Sequence, residues 1–520
     1  MSSIGEIPGR AAAATPDKVA IVDDLTSVTY AELEAGSDAL AVRLRERGLA
    51  PGDRVGLLLT NSSRFMLAYF ATAKAGGVIV PINPRLSTAE IQFLVDHTEC
   101  AAFFHDQGFG AKVAALRLPR IRIAVGAERD GDELMEDVVA REVDLDLARP
   151  AEGDLAAIFY TSGTTADPKG VEMTHRTILQ TVEILGGSFD VGADDVGLCP
   201  IPLTHTTVHF TPVPVIAAGG TIVLCDRFRP ASALDLLERH RVSLLPTVTA
   251  VAVLMAKELV ASERRYDLGP LRKIFVGGAN VPASLVDAWH EIAPNCSAVN
   301  CYGMTEMDGP ISRMDRHRFP LRRGSVGKSY PGVEVRIETE AGDAAATGEV
   351  GEIVVRGGNM MAGYWRNPRA TAAALVDGRL HTGDLGYLDE DGYLFVVGRK
   401  KNVLKRGGEL VYPDEVENVL LANPAVKEAV VVAVGDEVMG ERVAVVVARQ
   451  PGAAIGVDEL IAFCGEHLAD FKVPEYVGFV EDELPKNTVG KVDRRGIATT
   501  VTGGAIELAD RRRGSVRSRR

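Results

Sequence analysis

The chain of 520 residues holds only six cysteines, Cys100, Cys199, Cys225, Cys296, Cys301 and Cys464, and no two are spaced Cys-x-x-Cys. That argues against a disulfide framework and a structural zinc site, and it fits a reducing compartment. No apolar run approaches the roughly 20 residues that a bilayer span requires. The N-terminus, Met-Ser-Ser-Ile-Gly-Glu, also lacks the basic and then apolar segments of a secretory leader. A cytoplasmic protein with no membrane span is the expectation. Aromatic residues are scarce, at 6%, but 46% hydrophobic and 25% charged residues suffice for packed cores. Positive charge is short over most of the chain. The formal net charge is −14, and six arginines among the last ten residues contribute +6, so residues 1–510 carry −20. Such a body repels nucleic acid, and any polyphosphate must be held by local groups.

What is present reads as more than one domain, because 520 residues exceed what a single core usually organises. Thr29-Tyr-Ala-Glu32 and Ser87-Thr-Ala-Glu90 have capping-box spacing ahead of helical apolar patterns, and Gly48 is placed to close the first helix. Val55–Leu59 and Thr221–Cys225 read as buried strands, so the first two-thirds is expected to be α/β layers with mostly parallel sheets. Gly351–Arg356 opens a region richer in strands and turns, Asp389-Glu-Asp-Gly392 marks a turn, and a break follows Gly398-Arg-Lys-Lys401. Beyond it, a helix over 415–421, strands over 429–434 and 443–449 and a helix over 457–468 outline a small α+β unit. The expected division is a large domain over 1–400, a small one over 401–500 and a disordered basic tail over 501–520.

Residues 160–170, Tyr-Thr-Ser-Gly-Thr-Thr-Ala-Asp-Pro-Lys-Gly, follow the apolar run 155–159. A strand feeding such a loop can aim backbone N–H groups, hydroxyls and an ammonium at phosphate oxygens. It is not a Walker A loop, and by residue chemistry alone a polar surface loop fits equally well. His205 and His209 are four apart and would share a face of a helix, but no third ligand accompanies them to make a metal site.

The loop resembles the signature of the adenylate-forming superfamily of acyl-CoA synthetases, luciferases and peptide-synthetase adenylation domains. Further segments resemble that superfamily in its order: Pro81–Ser87, Gly277–Asn280, Tyr302–Glu306, Gly363–Pro368, His381–Asp384, Gly398–Lys401, Gly407–Pro413 and Leu484–Lys491. The resemblance is most like acyl-CoA synthetases. It implies a large α/β domain with a distorted β-barrel subdomain and a small, mobile α+β C-terminal domain. It also implies an acid–thiol ligase that uses ATP, Mg²⁺ and CoA, or a phosphopantetheinyl carrier protein in place of CoA, to activate a carboxylic acid. A homodimer stays open.

By the same resemblance, Thr161, Ser162, Gly163, Thr164, Thr165 and Lys169 handle the phosphates, and Thr161 and Glu306 hold the metal. Gly278, Ala279, Asn280, Asn300, Cys301 and Tyr302 surround the base, with Tyr302 stacking on it, and Gly303, Met304 and Thr305 also bind ATP; Cys301 stands where the family often has Gly or an apolar residue. Asp384 and Arg399 hold the ribose. Lys491 bridges the carboxylate and α-phosphate, Lys401 is the hinge, and Gly407 and Gly408 line the pantetheine path. His205 gates an acyl pocket that includes Thr207, Thr211, Thr247, Val276 and Gly277. Thr207 and Thr211 are expected one helical turn apart, ordinary helix packing being the other reading. His205 also stands where amino-acid-activating members have an Asp, which implies an acid without an α-amino group. Lys491, Lys169, Glu306 and His205 are the residues expected to act in catalysis. Asp167 is dissonant, because an acid beside phosphates costs energy unless it faces solvent. No large-domain insertion of the kind that fatty acyl-AMP ligases carry is evident, which favours CoA over a carrier protein. A nucleotide-binding regulator without catalysis is the remote alternative, and the completeness of the loop, Glu306, Asp384 and Lys491 argues against it.

Overall fold

The computed structural model describes residues 1–127, 132–144, 147–161, 168–278, 281, 283–314, 322, 324–406, 409–436, 438–481, 483–486, 492–503, 506 and 508–510. By internal contacts these fall into two compact units, Met1–Val281, Leu285–Val335 and Val355–His381 in one, and those within 282–284, 336–354 and 382–520 in the other.

The first unit is built on two large sheets. One runs Gly363–Tyr364, Lys169–Thr174, Leu155–Thr161, Val78–Pro81, Arg54–Leu58, Cys100–Asp106, Ile121–Val125 and Glu133–Leu134. The other runs Lys328–Ser329, Gly309–Arg313, Ser297–Met304, Lys273–Gly277, Leu244–Val248, Val196–Cys199, Thr221–Leu224, Val19–Val22 and Ser27–Thr29. Their middles are parallel and antiparallel strands sit toward the ends. Continuous apolar runs such as Val78–Pro81, buried at every position, are what a parallel sheet covered on both faces requires.

Helices begin where the spacing says they should. Thr29 caps Tyr30–Glu46 and Ser87 caps Thr88–Thr98, each with the reciprocal bond from Glu32 or Glu90. Gly48, at φ +99°, ends the first of these. The helix Ser63–Lys74 packs on Tyr30–Glu46 and buries Lys74, whose ammonium meets Glu34 and Asp38 at 2.6 Å each.

In the second unit Val426–Asp436 pairs with Gly440–Arg449 along their length. Alternate side chains of this valine-rich pair enter two cores. Val431, Val443, Val445 and Val447 pack with the helices Pro413–Ala422 and Val457–His467, while Val430, Val432 and Val446 pack with Arg494–Thr502. The sequence outlines the first two helices and both strands to within a few residues, and offers no signal for Arg494–Thr502. Among the described residues, no helix is long and apolar enough to cross a membrane.

Lys74→Ala strips two inward carboxylates of their counter-charge. It is expected to cost on the order of 3 kcal/mol, read as a lower urea midpoint at unchanged slope.

Candidate functional site

The strands Leu155–Thr161 and Lys169–Thr174 form the hairpin that carries the expected phosphate loop, with Thr161 opposite Lys169. Ser162, Gly163, Thr164, Thr165 and Asp167 lie outside the described residues; the two mouths of the loop are described. The Thr161 hydroxyl donates to the Lys169 carbonyl at 3.5 Å. Gly363–Tyr364 adds to the same sheet beside Val171 and Glu172, and Trp365 N–H donates to the Gly170 carbonyl at 2.7 Å. Tyr364 thus reaches both sides of the site. Its ring lies 4.8 Å from Lys169 Nζ, and its hydroxyl donates to Glu306 Oε1 at 2.8 Å. An ammonium and a carboxylate, far apart in sequence, are brought together through a tyrosine to which the motif reading gave no role. The signal was there, since Tyr364 lies inside the Gly363–Pro368 segment.

Glu306 is half-buried in the one-turn 3-10 helix Thr305–Met307, directly after Ser297–Met304. Its carbonyl accepts from Met361 N–H at 2.8 Å, and Asn359 Nδ2 donates to the carbonyls of Met307 and Pro310. Among the described residues no group of three His, Cys, Asp or Glu side chains could hold a metal. A single carboxylate suits a hard cation that keeps phosphate and water as its other ligands, as Mg²⁺ does.

The base-side residues lie where Lys273–Gly277 runs parallel to Ser297–Met304, with Val276 opposite Asn300. A Cβ at Gly277 would stand 2.8 Å from the Cys301 carbonyl oxygen, so only glycine lets the strands approach there. Gly278 turns at φ +77°; Ala279 and Asn280 lie outside the described residues. Asn300 is buried and donates to the Ser325 carbonyl at 3.4 Å. Cys301 is buried against the Tyr330 hydroxyl, and desolvation pushes its thiol up to about 11, which makes it a packing residue rather than a thiolate. Tyr302, Gly303, Met304 and Thr305 continue the strand into the Glu306 turn, Tyr302 and Gly303 opposite Ser312 and Pro310.

The acyl-side segment departs from expectation. His205 is the extended residue preceding the 3-10 turn Thr206–His209, so His205 and His209 do not share a face of an α-helix. His205 is half-buried, whereas His209 is fully buried and bonded to Tyr69 and Asp308. Thr207 and Thr211 are likewise not one turn apart on a helix. Thr211 precedes Pro212–Ala217, which starts at Pro212 because proline fits a helix's first position and cannot supply the N–H of a continuing one. Thr207 donates to the Pro202 carbonyl at 2.8 Å. The hydroxyls of Thr211 and Thr247 are buried and have no hydrogen-bond partner.

In the second unit Asp384 lies directly across a strand pair from Arg399, Oδ1 to Nε 2.5 Å, the carboxylate buried and the guanidinium exposed. Lys401 is exposed in the 3-10 turn Lys400–Asn402. Gly407, Gly408 and Lys491 lie outside the described residues. Arg406 and Glu409, which flank the two glycines, pair across their hairpin, and Lys486 pairs with Val492.

Residues 9–365 match the model of the AMP-binding enzyme family and residues 415–491 that of the AMP-binding enzyme C-terminal domain. A feruloyl-CoA synthase of Amycolatopsis sp is 35% identical over 494 residues, 94% of this chain and 97% of that one. A long-chain fatty-acid–CoA ligase of Mycobacterium tuberculosis is 30% identical over 506 residues, 95% of this chain and 97% of that one. Among solved structures, the o-succinylbenzoate CoA synthetase of Bacillus subtilis in complex with its acyl-adenylate superposes with a TM-score of 0.83 at 29% identity, covering 95% of this chain and 97% of that one. The same enzyme has been solved with ATP and a magnesium ion.

Tyr364→Phe keeps the ring beside Lys169 and removes the donor to Glu306. It is expected to raise KM for MgATP about tenfold in a pyrophosphate-release assay, with the thermal midpoint unchanged.

Proposed function

Because the chain belongs to the AMP-binding enzyme family, and the feruloyl-CoA synthase and fatty-acid–CoA ligase that match it over nearly their whole length form CoA thioesters, it converts a carboxylic acid to an acyl-adenylate and then to a CoA thioester, and we propose the residues for each step and the class of acid. In the first step a carboxylate oxygen bonds to the α-phosphorus of ATP and the bond to the β-phosphate breaks, releasing pyrophosphate. This needs in-line positioning and charge stabilisation more than a general base.

Lys169, with Ser162, Gly163, Thr164 and Thr165, holds the polyphosphate. Thr161 and Glu306 hold Mg²⁺, which neutralises phosphate charge when bound. The Glu306–Tyr364–Lys169 chain is the observation that supports this reading, since it fixes an anion and a cation beside the loop before any nucleotide arrives. Asn300 to Thr305, with Gly278, Ala279 and Asn280, receive the base, and Asp384 with Arg399 the ribose. Lys491 bridges carboxylate and α-phosphate. In the second step a thiolate attacks the acyl carbon and AMP leaves as the C–O bond breaks. Gly407 and Gly408 let the pantetheine arm approach the backbone, and the small domain, 401–500, turns about Lys401.

The acid is an aryl acid bearing hydroxyl or methoxy substituents. Supporting this are the buried, unpartnered hydroxyls of Thr211 and Thr247 in the segments assigned to the acyl pocket, since an all-alkyl chain would leave both unsatisfied. The 35% identity to a feruloyl-CoA synthase agrees with it.

Incubating the protein with ATP, Mg²⁺, CoA and a panel of hydroxycinnamic, benzoic and medium-chain fatty acids is expected to give aryl-CoA thioesters at kcat/KM at least about tenfold above the fatty acids. Carrier-protein acylation with no CoA thioester would overturn the acceptor, and a fatty-acid preference the acid class. Lys491→Ala is expected to abolish adenylation and retain ATP binding, and wild-type pyrophosphate exchange in that variant would remove Lys491 from the mechanism.

A further inference from the structure

Three polar side chains beneath the site have no part in the steps above. Tyr69 comes from the helix Ser63–Lys74, His209 from the last residue of the turn Thr206–His209, and Asp308 from the residue that closes the turn Thr305–Met307. Each is fully buried, at 0% exposure. Tyr69 Oη lies 2.7 Å from His209 Nε2, and His209 Nδ1 lies 2.6 Å from Asp308 Oδ1. With the ring proton on Nδ1, the tyrosine hydroxyl donates to Nε2 and Nδ1–H donates to the carboxylate. The Phe159 ring, two residues before Thr161, stands edge-on to the imidazole at 5.3 Å.

A buried imidazole–carboxylate pair is an inefficient source of stability, because desolvating both groups offsets most of their attraction. Its better-attested use is to fix one arrangement of the segments that supply it. Here those segments are the acyl-side stretch, which includes His205 and Thr207, and the turn that carries Glu306. Two glycines make the join stiff. A Cβ on Gly309, at φ +110°, would fall 1.9 Å from Phe210 Cε2, and one on Gly303 would fall 1.7 Å from the Gly309 carbonyl oxygen. From another direction Asn359 and Met361 N–H hold the same turn. Asp308 itself sits at φ +46°, in the left-handed region, and its Oδ2 has no hydrogen-bond partner. A residue held in that conformation with a half-satisfied buried carboxylate indicates a position set by what its other oxygen does.

We propose that the buried Tyr69–His209–Asp308 chain is a positioning device for Glu306, locking the metal-side turn to the acyl-side segment. The inference rests on the reading of Glu306 as the carboxylate that faces the metal–nucleotide complex. Asp308 and His209 act through the turn, by the hydrogen bond between them, and touch no substrate.

Calorimetric titration of ATP into the full chain, with and without saturating Mg²⁺, gives the factor by which the metal tightens nucleotide binding. Glu306→Gln and Asp308→Ala are each expected to lower that factor about tenfold. Asp308→Asn, which keeps an acceptor for Nδ1–H, is expected to stay within about twofold of the parent. Should Asp308→Ala fail to fold, Tyr69→Phe, which removes a single hydroxyl from the far end of the chain, is expected to lower the factor about threefold. A lowered factor in Glu306→Gln beside an unchanged one in Asp308→Ala, or in Tyr69→Phe where that variant replaces it, overturns the positioning role and leaves Glu306 in place. An Asp308→Asn factor as low as that of Asp308→Ala overturns the hydrogen bond as its means. An unchanged factor in Glu306→Gln overturns both readings together.

Discussion

On the reading proposed above, the turn Thr305–Met307 presents one carboxylate to a nucleotide site, and no metal cluster among the described residues holds it in place. That constraint explains the density of contacts around it. The Tyr364 hydroxyl fixes an oxygen of Glu306, Met361 N–H its carbonyl, and Asn359 the carbonyls of Met307 and Pro310. Gly303 and Gly309 close the hairpin so tightly that neither tolerates a side chain. A carboxylate left mobile would lose rotamer entropy on meeting its ligand, and one already held loses little.

The electrostatics follow from the same economy of charge. A chain whose first 510 residues carry −20 must attract a polyphosphate locally. Lys169 supplies an ammonium at the loop mouth, and the aromatic face of Tyr364 sits beside it without adding negative charge. In the second unit Asp384 is buried but meets Arg399 across its strand pair, so the carboxylate is oriented and partly neutralised.

Much of the frame was legible in the sequence because it is governed by local periodicity. Capping boxes at Thr29 and Ser87, the glycine at 48 and the apolar strand runs act over a few residues, and the structure realises each. The helix expectation that failed, over 205–211, failed where proline intervened. Pro212 restarts the chain as a new helix, and a 3-10 turn takes the place of the expected face. Motif order marked out Lys169 and Glu306 in the first unit and Asp384 and Arg399 in the second, but gave Tyr364 no task, because its partners Lys169 and Glu306 lie 195 and 58 positions away.

By itself the sequence determined the family, the ATP-dependent chemistry and the α/β layering, since each rests on residue types in a fixed order or on short-range periodicity. Tertiary structure alone decided that Tyr364 joins the ammonium to the carboxylate, that Cys301 is an inert packing thiol, and that His209 belongs to a buried chain with Tyr69 and Asp308 rather than to a pair with His205. Those facts depend on which distant segments the sheets bring within hydrogen-bond distance and which side chains are closed off from water. No spacing along the chain encodes either.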